Sequence, residues 1–466
     1  MSRKQALLRQ HRRNKRRVLL VGLVLLVALG VLVAWWLPLP LLLLAWVAHE
    51  AWFADHLFYS PGDDYQYRFS PDAELTGVTL QGDRLVLPEG HGLGADETVV
   101  LAVGVKASWL GRFFDPLVVI GGSDQQTFER GANGLRYLNL SGCAELLAQG
   151  AVSLRGRYCT LVGEVRLWRF RHPDFATQNV MVIAPHADDA ELAAYGLYSR
   201  AQKPWIVTLT AGEIEAEHYQ AMGLGRADAA RLKGRLRAWD SLAVPRWAGV
   251  PAERCVQLGY FCLQLPAMQA APDQPCGSRE ADMSDIRPFR QLNPFTLPAD
   301  ADGAPTWNNL LADLRALLER ARPDVLVMPH ARIDPHPDHI SAQAAVLEAL
   351  QGLAHQPRYV LGYANHLHDN DRWPMGEAGE GVALPPFFDA EQVLVPCSLP
   401  VSAQVQLDKA MALGMMHDLQ PPAPFKRRLR RWLQQVLARR RWPATGDNEF
   451  FRKAVRRHEL FWRKDL

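Results

Sequence analysis

Two short stretches of the sequence bring histidine and aspartate close together. They are PHADDAEL and DPHPDH, and the residues that could do chemistry are His186, Asp188 and Asp189 in the first and His336, Asp338 and His339 in the second. Alone, either stretch could be a helix cap or a solvated turn, because aspartate is favoured at the start of a helix. Together they offer what a catalytic zinc site needs, namely three nitrogen or oxygen ligands, an open position for water and a nearby base.

The overall composition narrows the kinds of site and partner. The chain has 466 residues, of which 48% are hydrophobic and 22% charged, as in ordinary globular proteins. The net charge of +3 is too small to indicate a nucleic-acid partner. The six cysteines show neither a CxxC pair nor regular spacing, so a zinc ribbon and a disulfide framework are both disfavoured. A bound metal would therefore be held by nitrogen and oxygen atoms.

Both motifs follow segments that read as buried strands. From about residue 173, apolar runs at 179–185, 204–213 and 324–330 alternate with helical patterns. This alternation predicts an α/β domain over residues 173–424, with a largely parallel, Rossmann-like sheet and covering helices. Ligand sites in such folds lie at the carboxyl ends of the strands, which is where both motifs fall.

The preceding region has a different pattern. Residues 60–172 contain short β-branched and aromatic runs separated by glycine, aspartate, asparagine and proline. This spacing predicts a β-rich, sandwich-like accessory domain. A spacer or packing module is the favoured interpretation, while glycan binding through exposed aromatic residues stays open.

The N-terminus combines a basic segment with a long apolar run. Residues 1–17 contain eight lysines and arginines, and residues 18–48 contain no charged residue. We predict a membrane anchor over 18–53, because the run is longer than the apolar core of a cleaved signal peptide. Pro38 and Pro40 leave open a single span or a re-entrant hairpin. The predicted location is a bacterial inner membrane, with membrane lipid as a partner and the catalytic domain on the cytoplasmic face.

The C-terminus carries a second basic segment. Residues 425–442 place leucine, valine and tryptophan on one helical face, surrounded by lysine and arginine. We predict a basic amphipathic C-terminal tail over 425–466. It would either pack on the protein as a surface helix or lie on an anionic membrane surface.

At the two motifs the chain resembles the PIG-L/LmbE family of zinc-dependent de-N-acetylases. The family has a strand that ends in His-Pro-Asp-Asp followed by an acidic residue, and a later His-Pro-Asp-His. PHADDAEL matches the first motif except at Ala187, and residues 336–339 reproduce the second. VTLTAGE and the arginine-rich stretch RLKGRLRAWDSL add to the resemblance, which covers residues 175–420.

The resemblance implies a role for each matched residue. Three residues would be zinc ligands, and they are His186, Asp189 and His339. Asp188 would be the general base. His336 would act as an acid toward the leaving amine or as a donor to the oxyanion, and Asp338 would orient His336.

Other residues lie outside the family pattern or depart from it. Ala187 replaces a proline, which loosens the turn but removes no functional group. Asp334 stands where some members have a tyrosine that helps to stabilise the oxyanion, so that role is unassigned here. We expect Arg332 and His366 to contact the substrate.

The sequence therefore predicts a membrane-anchored Zn²⁺-dependent hydrolase that removes the acetyl group of an N-acetylated amino sugar. The predicted anchor favours a lipid-linked or cell-envelope glycan as its partner. Two alternatives stay open, namely a zinc amidohydrolase acting on a non-sugar amide and a catalytically idle glycan-binding membrane protein.

Overall fold

The computed structural model describes residues 3–54, 61–88, 94, 97–150, 152–367, 370, 372–420, 424–440 and 449–466. The chain begins with two helices, α1 (Arg3–Leu32) and α2 (Pro38–Ala48), and a π-helical turn at His49–Phe53. Among the described residues, no helix is both long and apolar enough to cross a membrane. The predicted anchor over 18–53 is therefore not supported, and the predicted membrane location, with the catalytic domain on its cytoplasmic face, is wrong.

The apolar run fails as an anchor because it is divided between two helices. α1 ends at Leu32 and α2 begins at Pro38, because proline is favoured at the first position of a helix, where no N–H donor is needed. The uncharged part of α1, residues 18–32, is about 22 Å long at 1.5 Å per residue. A bilayer core is about 30 Å thick.

The β-rich region contains two antiparallel sheets and a hairpin. Its elements are β1 (Gln66–Arg68), β2 (Glu74–Leu75), β3 (Thr79–Gln81), β4 (Arg84–Val86), β5 (Glu97–Ala107), β6 (Leu117–Ile120), β7 (Asp124–Thr127), β8 (Asn133–Asn139), α3 (Ala144–Ala148), β9 (Leu154–Arg157) and β10 (Cys159–Arg171). One sheet has the order β2-β10-β5-β8, the other has the order β7-β6-β9, and β3 pairs with β4. Alternate residues of β5 serve different cores. Leu101 and Val103 join a core within this region, whereas Val100 and Ala102 face the rest of the protein.

The α/β region follows in the order that the sequence predicts. Its elements are β11 (Asn179–Ala184), α4 (Asp189–Tyr198), β12 (Lys203–Thr210), α5 (Glu217–Gln220), α6 (Arg226–Ala243), β13 (Cys255–Tyr260), α7 (Leu265–Ala270), α8 (Trp307–Ala321), β14 (Val325–Pro329), α9 (Pro337–Ala349), β15 (Tyr359–Tyr363), β16 (Phe388–Val393), β17 (Pro396–Pro400), α10 (Ala403–Met415), α11 (Phe425–Leu437), α12 (Glu449–Ala454) and β18 (His458–Asp465). The predicted α/β class is confirmed.

The central sheet has seven strands in the order β13-β12-β11-β14-β15-β18-β17. The first five are parallel, while β18 runs antiparallel to both of its neighbours. The chain moves from β11 outward to β13 and then returns to place β14 on the other side of β11. This reversal creates a crevice beyond the carboxyl ends of β11 and β14, the usual ligand position in open α/β sheets.

Both faces of the central sheet are buried. Met181 and Ile183 of β11 pack toward α8 and α9, whereas Val180 and Val182 pack toward α4 and α10. Burial on both sides accounts for the continuous apolar runs in the sequence.

The C-terminal segment, predicted as a basic amphipathic tail, contributes a helix that packs on the N-terminal region and a strand of the central sheet. Helix α11 packs on the N-terminal π-helical turn, where Arg430 lies 2.6 Å from the carboxylate of Glu50 and Leu433 is buried. The last strand, β18, lies inside the central sheet between β15 and β17. Residues 458–465 are therefore an integral part of the sheet.

Candidate active site

Four strand ends bring polar side chains to one edge of the central sheet. The first motif follows β11 and leads into α4, and the second follows β14 and leads into α9. Asn365 and His366 follow β15, and Cys262 follows β13. Helix α9 starts at Pro337, a favoured first position, so His336 is held at the helix boundary with extended backbone.

Three of the predicted ligand atoms lie very close together. His186 Nδ1 is 3.1 Å from Asp189 Oδ2, His339 Nε2 is 3.1 Å from the same oxygen, and the two nitrogen atoms are 3.4 Å apart. All three side chains are at least 89% buried. The two motifs, which are 150 residues apart, thus meet at one point.

These spacings match the geometry of a zinc site. Ligand atoms about 2.0–2.1 Å from a zinc ion stand about 3.3–3.4 Å apart in a tetrahedron. The observed separations of 3.1–3.4 Å are close to that value. Two imidazoles and one carboxylate are also the ligand types that zinc takes in hydrolases that keep a position open for water. The residues present therefore fit this metal.

Each of the two histidines contacts a second carboxylate through its other ring nitrogen. His186 Nε2 is 3.3 Å from Asp338, and His339 Nδ1 is 2.9 Å from Asp334. The Asp334 carboxylate also accepts hydrogen bonds from the backbone N–H groups of Asn365 and His366. Such contacts fix the tautomer and the ring orientation of metal-binding histidines.

The contact of Asp338 differs from the one expected from the sequence. We expected Asp338 to orient His336, but its carboxylate accepts from the backbone N–H of Leu263 at 2.7 Å and faces His186. Within the described ranges, no hydrogen bond joins Asp338 to His336. The difference arises because the first turn of α9 directs Asp338 toward the β13 end of the crevice, where Leu263 lies.

The close packing of acids and imidazoles shifts their pKa values. Burial disfavours the ionised form of Asp189, but His339 and His186 outweigh it and hold the pKa of this carboxyl well below its usual range. Burial likewise disfavours a charged His339, yet Asp189 and Asp334 raise its pKa to about 9. Asp189 is thus held as the anion that metal ligation requires.

Asp188 has a different partner from Asp189, although the two residues are adjacent in the chain. Its Oδ1 lies 3.1 Å from Nη2 of Arg237, a buried residue of α6 that also contacts Asp418 at 2.7 Å. The guanidinium packs closely on Gly212, whose φ of 63° suits glycine and where any side chain would overlap Arg237. Asp188 is therefore held in a fixed position beside the group formed by His186, Asp189 and His339.

His336 and His366 form the open side of the cluster. The His336 ring stacks on that of His366, with centroids 5.0 Å apart, and lies 4.8 Å from the His186 ring. Burial and the neighbouring His186 and His339 lower the pKa of His336 to about 4. At neutral pH its imidazole is uncharged and can donate one hydrogen bond.

One predicted substrate residue lies elsewhere. Arg332 is 61% exposed and contacts Asp389 at 3.2 Å and Gln392 at 3.1 Å, on the strand β16. The structure therefore does not bring Arg332 into the cluster, because the turn after β14 directs it toward β16. His366, the other predicted substrate residue, lies at the rim of the cluster.

Several residues at the site were missed by sequence reasoning. Asn365 donates a 2.7 Å hydrogen bond to Asp189 Oδ1, and Asp334 and Arg237 make the contacts described above. Only weak features of the sequence pointed to these residues. Arg237 lies in the arginine-rich stretch, and Asp334 stood out only because it replaces a tyrosine.

Comparison with known proteins agrees with the two motifs. Residues 181–350 match the family model described as PIG-L, GlcNAc-PI de-N-acetylase. These residues form a PIG-L domain. The PIG-L domain contains both histidine–aspartate motifs, Arg237 and Asp334, whereas Asn365 and His366 follow it in the chain. The predicted PIG-L family is confirmed for residues 181–350.

Similar solved structures share little sequence with this chain. A zinc-inhibited form of teicoplanin deacetylase is 16% identical, covers 61% of this chain and 97% of its own, and has a TM-score of 0.33. A 4-carboxy-2-hydroxymuconate hydratase from Pseudomonas putida is 14% identical over 56% of this chain and 84% of its own, with a TM-score of 0.31. A conserved protein from Thermus thermophilus is 19% identical over 56% and 88%, with a TM-score of 0.27. No curated protein matches the chain.

Proposed function

We propose that this protein is a zinc-dependent de-N-acetylase that hydrolyses the acetamide of an N-acetylated amino sugar. The observation that carries the proposal is the group of three ligand atoms 3.1–3.4 Å apart beside a separately held carboxylate, Asp188. The match of residues 181–350 to a de-N-acetylase family supports the reaction class. His186, Asp189 and His339 are the ligands in this proposal.

The chain's own residues divide the chemistry between two sides of the site. A bound zinc ion would lower the pKa of water and polarise the amide carbonyl. Asp188 takes the proton of the attacking water and passes it to the leaving amine nitrogen as the C–N bond breaks. Arg237 holds the carboxylate of Asp188 in one position for both transfers. His336 donates a hydrogen bond to the developing oxyanion from the opposite side, as a neutral imidazole.

The two residues predicted to contact the substrate, His366 and Arg332, differ in their position relative to the site. His366 is 40% exposed beside His336 and is positioned to contact the sugar. Arg332 faces β16 and takes no part. The lipid-linked carrier was inferred from the anchor, which is not supported, so we propose the amino sugar as the substrate and treat its carrier as a variable of the test.

The first experiment measures metal and product together. We expect the purified full chain to hold about one zinc per chain by elemental analysis and to release acetate from N-acetylglucosamine compounds. His339→Ala should lose most of the metal and the activity, because it removes one of three ligands. His355→Ala, which alters a histidine bonded to the backbone of Pro323 outside the site, is the matched control and should lose neither.

The choice of substrates separates the alternatives. Soluble N-acetylglucosamine glycosides, a glycolipid that carries the same sugar, and N-acetylated amino acids should be tested in parallel. Acetate release only from amino acids would favour an amidohydrolase of non-sugar amides. Stoichiometric zinc in His339→Ala would contradict the ligand assignment, and sugar binding with no turnover of any substrate would favour an idle glycan-binding protein.

A further inference from the structure

A second polar cavity lies away from the histidine–aspartate cluster. It has a volume of about 550 Å³ and is bounded by strands β7 and β9, the loop 372–380, residues 438–440 and helix α12. None of the six residues in the two motifs lines it. Its size is within the range of small-molecule sites, about 300–1,000 Å³.

Two ion pairs lie in the wall of this cavity. Asp115 lies 2.9 Å from Arg372, and Glu449 lies 2.9 Å from Arg452. Burial disfavours an ionised Asp115, but Arg372 and its other arginine neighbours lower the pKa of Asp115 to about 2. The first pair joins the segment before β6 to the loop 372–380, and the second lies within α12, so both are explained by the fold.

Two arginines at the rim of the cavity contact aromatic rings, whereas those in the wall pair with carboxylates. In the part of the chain that the structure describes, neither Arg157 nor Arg439 forms an ion pair with a carboxylate. Arg157 lies over the ring of Tyr158 at 5.2 Å, and Arg439 lies over the ring of Phe114 at 5.9 Å. The two rings stack on each other with centroids 5.2 Å apart. The aromatic pair thus positions two guanidinium groups at the rim, and neither has a carboxylate partner among the described residues.

The backbone at this rim is constrained as well. Tyr158 has a φ of 62° and Arg439 a φ of 54°, the left-handed region that side chains other than glycine rarely occupy. Such outliers cost free energy and cluster at binding and catalytic sites. Here one outlier lies on each side of the same cavity, and each positions a member of the stacked group.

We propose that this cavity binds an anionic saccharide, a sugar that carries a carboxylate or a phosphate group. Arg157 and Arg439 bind the anionic group, since guanidinium groups bind both kinds of oxyanion. Thr127, which also lines the cavity, accepts a hydrogen bond from a sugar hydroxyl group. The carboxylates of the wall disfavour a bare anion, and the two unpaired arginines disfavour a cation. The proposal does not depend on the deacetylase reaction.

Binding is tested by calorimetry on the full chain with four probes. The probes are glucuronate, glucose 6-phosphate, glucose as the neutral counterpart and inorganic phosphate as the bare anion. We expect one of the two charged sugars to bind at least about tenfold more tightly than both glucose and phosphate, because only it satisfies both kinds of group. Which one binds more tightly distinguishes a carboxylate ligand from a phosphate ligand.

Two variants and a control locate the binding. Arg157→Gln combined with Arg439→Gln should weaken the tighter charged sugar by at least about tenfold. Both arginines are exposed, so the folded state should tolerate the change, which near-ultraviolet circular dichroism would verify. Arg155→Gln, on the same strand but paired with Asp83 away from the cavity, removes the same charge and should change affinity less than about twofold.

Three outcomes would overturn the proposal. They are no binding of either charged sugar at millimolar concentration, binding of glucose or inorganic phosphate as tight as that of the charged sugars, and unchanged affinity in the double variant. Acetate release plays no part in this measurement. The proposal can thus fail while the deacetylase assignment stands, and the reverse also holds.

Discussion

Asp188 and Asp189 are adjacent in the chain but contact different partners. Asp189 lies between two imidazoles and receives a hydrogen bond from Asn365, whereas Asp188 contacts the guanidinium of Arg237. The start of α4 separates them, because successive residues at a helix boundary point in different directions. This separation allows one carboxylate to bind a metal while the other accepts a proton.

The first prediction concerns the base. Asp188→Asn should keep the zinc but lower turnover by about 10²–10⁴-fold, because an amide cannot accept the proton of water. Acetate release and elemental analysis on the same samples measure both quantities. Asp228→Asn, on the exposed side of α6, is the control. Turnover near the normal value in Asp188→Asn would show that another group is the base.

Arg237 is a positioning residue for Asp188 in this scheme. It contacts Asp188 at 3.1 Å and Asp418 at 2.7 Å and is 9% exposed, so it fixes the direction of the base. Small misplacements of a catalytic group cost up to about 10²-fold in rate.

The second prediction follows from this contact. Arg237→Gln should reduce kcat by about 10–10²-fold with zinc content unchanged and with a smaller change in KM. Arg235→Gln, an exposed arginine on the same helix, is the control and should behave like the unaltered protein. Partial recovery of kcat in Arg237→Lys would support a positional role. A loss confined to KM would instead indicate that Arg237 contacts the substrate.

At the scale of elements, strand β18 holds the first helix of the site. Glu459 of β18 accepts hydrogen bonds from the backbone N–H groups of Gly196 at 2.7 Å and Leu197 at 2.9 Å, in α4. It also lies 2.9 Å from Lys409 of α10, and both side chains of this ion pair are at most 2% exposed. The last strand of the chain thereby fixes the helix that begins with Asp189.

The third prediction tests this contact. Glu459→Gln should lower the free energy of unfolding by about 3–5 kcal/mol, because it leaves Lys409 charged and buried without a carboxylate. Urea unfolding followed by circular dichroism measures the change. Asp465→Asn, at the exposed end of the same strand, should change stability by less than about 0.5 kcal/mol. Equal effects of the two substitutions would contradict the role given to the buried pair.

At the scale of the whole molecule, the β-rich and α/β regions share a core. Trp168 and Phe170 of β10 belong to the same buried cluster as Trp462 of β18 and Leu367 of the loop after β15. Strand β1 also pairs with β16, across more than 300 residues of sequence. The β-rich region is thus built into the body of the protein.

The fourth prediction concerns cooperativity. Trp168→Ala should lower the free energy of unfolding by about 3–5 kcal/mol, since the ring is 5% exposed. Because the core is shared, fluorescence and circular dichroism should report one unfolding transition that shifts as a whole. Trp109→Ala, at a site 70% exposed, is the control and should shift it little. Two separate transitions, only one of them moved by Trp168→Ala, would show that the regions unfold independently.

The sequence alone was sufficient for the elements whose apolar pattern is strong and local. The strands β11, β12 and β14 are continuous apolar runs, which is what burial on both faces of a parallel sheet requires. The same pattern predicted where the two motifs lie. They follow β11 and β14, and parallel strands present their carboxyl ends at one edge of the sheet. The family also followed from these residues.

Tertiary structure decided the features that depend on distant contacts. HELFWRKD falls within the predicted basic tail because it follows an arginine-rich stretch, but pairing with β15 and β17 makes it an inner strand. The contact of Asp338 with His186 depends on the packing of α9 against the end of β13, and the direction of Arg332 depends on the nearby β16. The membrane prediction failed because composition over 18–48 is uniform while the helix breaks before Pro38. Local pattern determines which element a segment forms, whereas the partner of each side chain is set by packing between segments that are far apart in the chain.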